Sequence, residues 1–408
     1  MPVTTNKTAL IAEADKCVLC GMCLPHCPTY SLAQNENESP RGRLVLGKAY
    51  LTGLVEETND LVEHIDHCLL CRNCESNCPS GVQFAAFMDG LRSHLPQHKS
   101  HHDFSDILTS QQQRRSLNKK LWIGQKSGAL SASKLFIGNK NKRILNSLPT
   151  VQRFQALNDH YPAQGTEQSK VMLFTGCNSE LFGNTLVLTA IELLTRLGVA
   201  VDVPSEQQCC GGLSRHQGDA DKADQLENQN LTAFADETAM PIITLTSGCG
   251  ASLLDYNNDK KNTFTNRVID INQFLLNHFQ SRQASFNPLH KKVVVQTPCS
   301  MKNVMRTDKA IPTLLGMIPE LEVNPLAGQR GCCGAAGTYM YEHAESADAL
   351  RAPVINDLIK QQANILVTSN IGCAMHIQAG MKQAGHQLDV LHPIELLSKQ
   401  LIFSPELV

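Results

Sequence analysis

Apolar positions in the last 250 or so residues alternate between two periodicities. Short β-rich runs end at cysteines: KVMLFTGC at 170–177, PIITLTSGC at 241–249, KKVVVQTPC at 291–299 and NILVTSNIGC at 364–373. Between them lie helical patterns, TLVLTAIELLTRLG after the first run and AIPTLLGMIPEL after the third. Strands alternating with helices predict parallel α/β sheet, with ligand groups gathering at the carboxyl ends of strands. Nearer the N-terminus, PRGRLVLGKAYLTG at 40–53 and FAAFMDGLRSHL at 84–95 read as helices. The expected fold is α+β overall: a mainly helical N-terminal domain followed by two α/β units.

Those two units are copies of one another. Cys177 and Cys299, Cys209 and Cys332, and Cys249 and Cys373 are each separated by nearly the same interval, the signature of an internal repeat. QCCGGL at 208–213 answers GCCGAA at 331–336, and SGCGA at 247–251 answers IGCAM at 371–375. The boundaries this implies are residues 1–100, a connecting segment at 101–165, a first Cys-Cys-Gly unit at 166–285 and a second at 286–408.

Charge separates the same regions. Residues 1–100 hold 8 basic and 11 acidic side chains, whereas residues 101–160 hold 10 basic and 3 acidic. The basic stretch is weakly periodic and reads as a solvated linker with short helices, with contact to an acidic partner or an anionic membrane surface as the second reading. The formal net charge of −2 gives no reason to expect nucleic acid. There is no apolar run of the ~18 residues a membrane span requires, and no export signal. A cytoplasmic location is expected, with peripheral contact to the inner face of the membrane as an extension.

In a reducing compartment, 16 cysteines read as metal ligands or redox centres, not disulfides. CVLCGMCLPHCP and CLLCRNCESNCP are both C-x2-C-x2-C-x3-C-P, the bacterial ferredoxin run, whose fourth cysteine serves the other cluster. Two [4Fe–4S] clusters follow, one on Cys17, Cys20, Cys23 and Cys78, the other on Cys68, Cys71, Cys74 and Cys27. The trailing prolines and two complete copies weigh against zinc, disulfides or a purely structural role. His26 and His67, beside these cysteines, read as surface histidines, and Lys16 and Arg72 as charges near the clusters.

Each repeat supplies four more thiols: Cys177, Cys209, Cys210 and Cys249, then Cys299, Cys332, Cys333 and Cys373. A further [4Fe–4S] cluster, a zinc ion, or thiols without metal all suit these third and fourth sites. The adjacent pairs also allow a vicinal-disulfide switch.

Taken together, CxxCGxCxxxCPTY at 17–30, PRGR at 40–43, CLLCRNCESNCPSGV at 68–82, CCGAAGTY at 332–339 and NIGC at 370–373 resemble the glycolate oxidase iron–sulfur subunit family. The resemblance implies an electron-transfer subunit of an oxidoreductase complex. An FAD-containing dehydrogenase chain would oxidise glycolate or a similar 2-hydroxy acid, and quinone or another acceptor would receive the electrons. Lactate and anaerobic glycerol-3-phosphate dehydrogenases have related subunits. Related heterodisulfide reductase subunits carry a further cysteine where Ser252 and His376 stand here, which weighs against a thiol/disulfide oxidoreductase. No GxGxxG, Walker loop or serine elbow is present.

Overall fold

A computed structural model describes residues 5–96, 107–133, 137–235, 239–256, 264–282, 284–326 and 332–403. Gly331, the first residue of the second Cys-Cys-Gly motif, lies outside them.

The N-terminal region is helical: α1 (Lys7–Asp15), α2 (Pro28–Ala33), α3 (Pro40–Leu51), α4 (Asn59–Asp66) and α5 (Phe84–Arg92). Ser39 starts α3 by accepting the Gly42 N–H at 2.9 Å, with Pro40 in the first turn. Phe84, Phe87, Met88 and Leu91 recur at helical spacing on α5 and bury against Leu10, Leu44, Leu61 and Ile65.

The basic segment departs from expectation. It forms α6 (Gln111–Lys126), followed by α7 (Asn139–Ser147), and α6 is docked, not a solvated linker. Arg114 and Asn118 are 3% and 2% exposed. Arg114 Nε donates to Glu180 at 2.8 Å, and the Asn118 amide donates to Gln152 O and Leu181 O at 2.8 and 3.1 Å. A polar sequence can form an interface when its buried groups are individually hydrogen-bonded.

The first α/β unit contains β1 (His160–Tyr161), β2 (Ser169–Phe174), β3 (Val199–Asp202), β4 (Ile242–Thr244) and β5 (Val268–Asp270), in the sheet order β1-β3-β2-β4-β5. Its helices include α8 (Gly176–Phe182), α9 (Thr185–Arg196), α10 (Ser247–Leu254) and α11 (Ile271–Arg282). A ribbon strand, β6 (Ser285–Phe286), leads into the second unit. There β7 (Lys291–Val295), β8 (Leu321–Pro325), β9 (Ile365–Val367) and β10 (Asp389–Leu391) are ordered β10-β9-β7-β8. Its helices include α12 (Ala344–Gln361), α13 (Ile371–Gln383) and α14 (Pro393–Gln400); β11 (Leu401–Ile402) then pairs with β6.

Four strands of each unit are parallel and identically ordered, and both copies reverse direction between their first and third parallel strands. Among the described residues, only the first copy adds an antiparallel edge, β1. The helix expected over AIPTLLGMIPEL covers only Ala310–Leu315, because Pro319 lies just beyond it and disfavours helix at the residue before. The two sheets share one core, in which Val171, Leu173, Ile243, Val293, Val295 and Val367 are all buried.

Asp270 and His392 occupy matching places before the last helix of each copy. Asp270 Oδ1 accepts the Asn272 N–H at 2.8 Å, and His392 Nε2 contacts Leu245 O of the other unit at 2.8 Å. Burial raises the Asp270 carboxyl to about 6, with hydrogen bonds from Asn272 opposing. The folded chain therefore binds this proton more tightly than the unfolded chain, so stability falls as pH rises through the window from about 4 to 6. Asp270→Asn should gain on wild type by roughly 1–1.5 kcal/mol between pH 5 and 7.5 in urea titrations. A pH-independent difference would show that Asp270 does not titrate in this window.

Candidate iron–sulfur centres

Cys17, Cys20, Cys23 and Cys78 line one small cavity together with Cys74, which also lines the next. Cys27, Cys68, Cys71 and Cys74 line a second. The two sequence runs thus exchange their fourth cysteines in space.

Both cysteine loops have the same unusual backbone. Leu19 and Leu70 hold φ of 57° and 49°, and Gly21 and Arg72 hold 79° and 59°. Left-handed residues are costly for anything but glycine, and a loop that alternates them with ordinary ones turns successive N–H groups to one side. Four thiols around such a loop suit an anionic iron–sulfur cluster. Burial pushes the Cys23 thiol up to about 11, and it also raises Cys71 and Cys74. Thiols held neutral in this way become thiolates when cationic iron is brought to them.

The PRGR segment at the start of α3 braces the first loop directly, through Arg41, and Arg43 anchors the Glu38 network beside the second. Arg41 Nη1 donates to Leu19 O at 3.0 Å, while its Nε donates to Glu36 at 2.6 Å. Arg43 is 1% exposed; it donates to Thr29 Oγ1 at 3.0 Å and His64 O at 2.7 Å, and pairs with Glu38. Glu38 Oε1 also contacts His64 and His67 at 2.6 and 3.0 Å. Burial pushes the Glu38 carboxyl up, but the His67 hydrogen bond, Arg43 and His64 together hold it below its usual value. His67 is therefore no surface histidine: its ring also stands edge-on to His343 at 4.4 Å. His26 is half-buried, and its carbonyl accepts from Asn73 at 2.9 Å. Lys16 pairs with Glu13 at 2.7 Å.

The third and fourth cysteine sets face a cavity of about 340 Å³ between the helical region and both α/β units. Its wall includes Cys177, Cys209, Cys210 and Cys249 of one copy, Cys299, Cys332 and Cys373 of the other, and also Cys68 and Cys71. Cys177 and Cys249 follow the first and third parallel strands of their sheet, on either side of the point where strand order reverses. That crevice is where open α/β sheets place ligands. Cys299 and Cys373 occupy the same positions in the second copy.

Within each set the thiols contact one another. Cys210 is held well below the usual thiol range by hydrogen bonds from Cys209 and Cys249, with the Gly212 N–H and Ser252 hydroxyl adding to them. In the second copy Cys332 is lowered in the same way by Cys299, Cys333 and the Gly334 N–H, and Cys333 and Cys373 lie 2.9 Å apart. The donor sets suit either a cluster or zinc. Ser252 stands beside Cys210, whereas His376 is turned away and buried, with Nε2 3.2 Å from Ala347 O.

Contacts between regions were not signalled by any motif spacing. Arg72 Nη1 reaches both oxygens of Asp255, at 2.9 and 2.7 Å, and Asn303 donates to Cys71 O at 2.7 Å. Arg92 donates to Cys68 O and His216 O, both at 2.8 Å. Of the side chains that donate these bonds, only Arg72 lies inside a cysteine run.

Residues 13–82 match the family described as 4Fe-4S dicluster domain, and residues 171–254 and 293–378 each match the cysteine-rich domain. The chain thus joins a 4Fe-4S dicluster domain to a tandem pair of cysteine-rich domains, and these matches define its class of architecture. Within that class it is similar to the probable glycolate oxidase iron–sulfur subunit of Bacillus subtilis, at 29% identity over 91% of this chain and 90% of the relative. The glycolate oxidase iron–sulfur subunit of Escherichia coli is 28% identical over 95% and 96%. Lactate utilization protein A of Geobacillus kaustophilus is 27% identical over 56% of this chain and 98% of its own length. The resemblance carried by the motifs is borne out along nearly the whole chain.

Gly42 has a steric reason to be glycine: a Cβ there would overlap the Glu36 carbonyl oxygen. Gly42→Ala should therefore displace the Glu36–Ser39 turn, cost about 2 kcal/mol and loosen the second cavity. The measurement is thermal unfolding alongside iron retention; a variant matching wild type in both would show that the turn yields freely.

Proposed function

We propose that this chain is the electron-transfer subunit of a flavin-dependent 2-hydroxy-acid dehydrogenase complex, with glycolate oxidised to glyoxylate on an FAD-containing partner and electrons passed towards quinone. Lactate or glycerol 3-phosphate as the substrate is the nearest alternative. The observation that carries the reading is the crossed grouping of eight thiols in two adjoining cavities, with Cys71 also facing the Cys299 and Cys332 thiols. In this reading Cys17, Cys20, Cys23 and Cys78 hold one [4Fe–4S] cluster, and Cys27, Cys68, Cys71 and Cys74 hold the other. The cysteine-rich sets, Cys177, Cys209, Cys210 and Cys249 and then Cys299, Cys332, Cys333 and Cys373, hold a further cluster or zinc. Bound clusters would supply one-electron storage.

The chain's own residues insulate and position these sites. Cys20 is exposed, and Val18, Leu19 and Met22 around it are 70%, 53% and 56% exposed. This apolar collar suits the approach of a partner's redox group. Cys71 lies at the inner end, where Leu69 packs with Cys332, Cys333 and Cys373.

Anaerobically purified protein should contain about eight irons per chain from the dicluster domain alone, and up to about four more for each filled cysteine-rich site. It should also retain a flavoprotein through purification and show reducible paramagnetic centres. Zinc without iron, or cysteine sets that trap thiol substrate with no flavoprotein attached, would refute the reading.

A further inference from the structure

From Ile107 to Asn158 the chain has no aspartate or glutamate, yet it carries ten lysines and arginines. Helix α6 presents part of this charge in an ordered way. Arg114, Leu117, Asn118 and Leu121 face inward, and Leu117 and Leu121 pack against the cluster containing Cys177, Leu181 and Cys209. Arg115, Lys119 and Lys126 follow at helical spacing on the exposed side, with Trp122 half-exposed at its margin and Lys120 and Ile123 flanking them.

Trp122 is the sole tryptophan of the chain. Lys126 Nζ lies 5.1 Å from its ring centroid, and the Arg153 guanidinium lies 5.9 Å from it. Ile123 beside it is 48% exposed. Among the described residues no acidic side chain pairs with Lys119, Lys120 or Lys126; Arg115 alone is neutralised, by Glu180 at 2.8 Å.

We propose that the outward face of α6 binds an anionic lipid bilayer, with Trp122 and Ile123 entering the headgroup boundary and Lys119, Lys120, Lys126 and Arg153 meeting lipid phosphates. Positive charge alone would serve an acidic protein equally well. The paired aromatic and aliphatic side chains, set among lysines on a helix fixed by its buried side, are what suit a membrane interface: tryptophan favours the headgroup level, and an interfacial helix sinks its apolar side chains there while lysines stay at the surface. Anionic headgroups attract each lysine within a Debye length, so binding should weaken with salt.

One consequence follows for the centres. The Cys177 and Cys209 thiols pack behind the inner face of α6, so lipid on its outer face would lie about one helix diameter, ~10 Å, from that set. Membrane attachment itself rests on the helix surface and not on which metal the cysteines hold.

The test is co-sedimentation of the intact, cofactor-bearing chain with vesicles rich in phosphatidylglycerol and with vesicles of phosphatidylcholine alone. Binding is expected to the former, to be weak to the latter and to fall in high salt. Lys119→Glu/Lys120→Glu/Lys126→Glu should weaken it by about tenfold or more with thermal midpoint and iron content unchanged, because these three lysines are exposed, and Trp122→Ala should weaken it by severalfold with iron content unchanged. The proposal is overturned by wild type ignoring phosphatidylglycerol at low salt, by variants that bind as wild type does, or by retention on polyglutamate without binding to vesicles.

Discussion

Gathering sixteen thiols into four close sets, all but Cys20 buried or partly buried, is the constraint that the rest of this structure serves. A buried thiol is held neutral by its surroundings, and two buried thiolates repel, so such an arrangement calls for counter-charge and for backbone dipoles aimed inward. The helical region meets this demand with loops that hold Leu19, Gly21, Leu70 and Arg72 left-handed, and with Arg41 and Arg43 beside them. The cysteine-rich units meet it differently. Each lets one thiol, Cys210 or Cys332, collect hydrogen bonds from its neighbours.

Holding these sets side by side requires that the three regions behave as one body. Arg72, left-handed inside its cysteine run, is tied to Glu75 on its own side and to Asp255 on the other. Arg92 gathers carbonyls from both sides of the same boundary. Gly218 sits so close to the Arg92 backbone that a side chain would be 2.5 Å from its carbonyl oxygen. These contacts surround the Cys68–Cys74 loop, which is common to the second and third cavities. Under the proposed electron-transfer role, these ties would hold the spacing between the neighbouring cysteine sets fixed.

The repeat is symmetric in topology and unequal in detail. Both copies flank the reversal point of their sheets with cysteines, yet the lowered thiol is the second of the pair in one copy and the first in the other. Ser252 touches its cysteine set, whereas His376 is lowered to about 4 by burial and then by Arg351, and faces backbone. Two sites drawn from one ancestral unit therefore present different surroundings to whatever they hold.

How much of this could be read from residue order depends on the range of the interaction. Cysteine spacing, the repeat interval, the parallel strands and the crossed grouping of Cys27 and Cys78 follow from local pattern, because cysteine runs and strand periodicity are written in neighbouring residues. The Glu38–Arg43–His64–His67 network, the approach of Cys71 to Cys299 and Cys332, and the docking of α6 do not. Each pairs residues that are ordinary on a solvated surface, and Arg114 and Asn118 look the same in sequence whether they face water or Glu180 and Leu181. Local composition determined which atoms were available as ligands. Only the packing of distant segments decided which of them share a cavity, because burial and partnership are properties of the folded chain and of no residue alone.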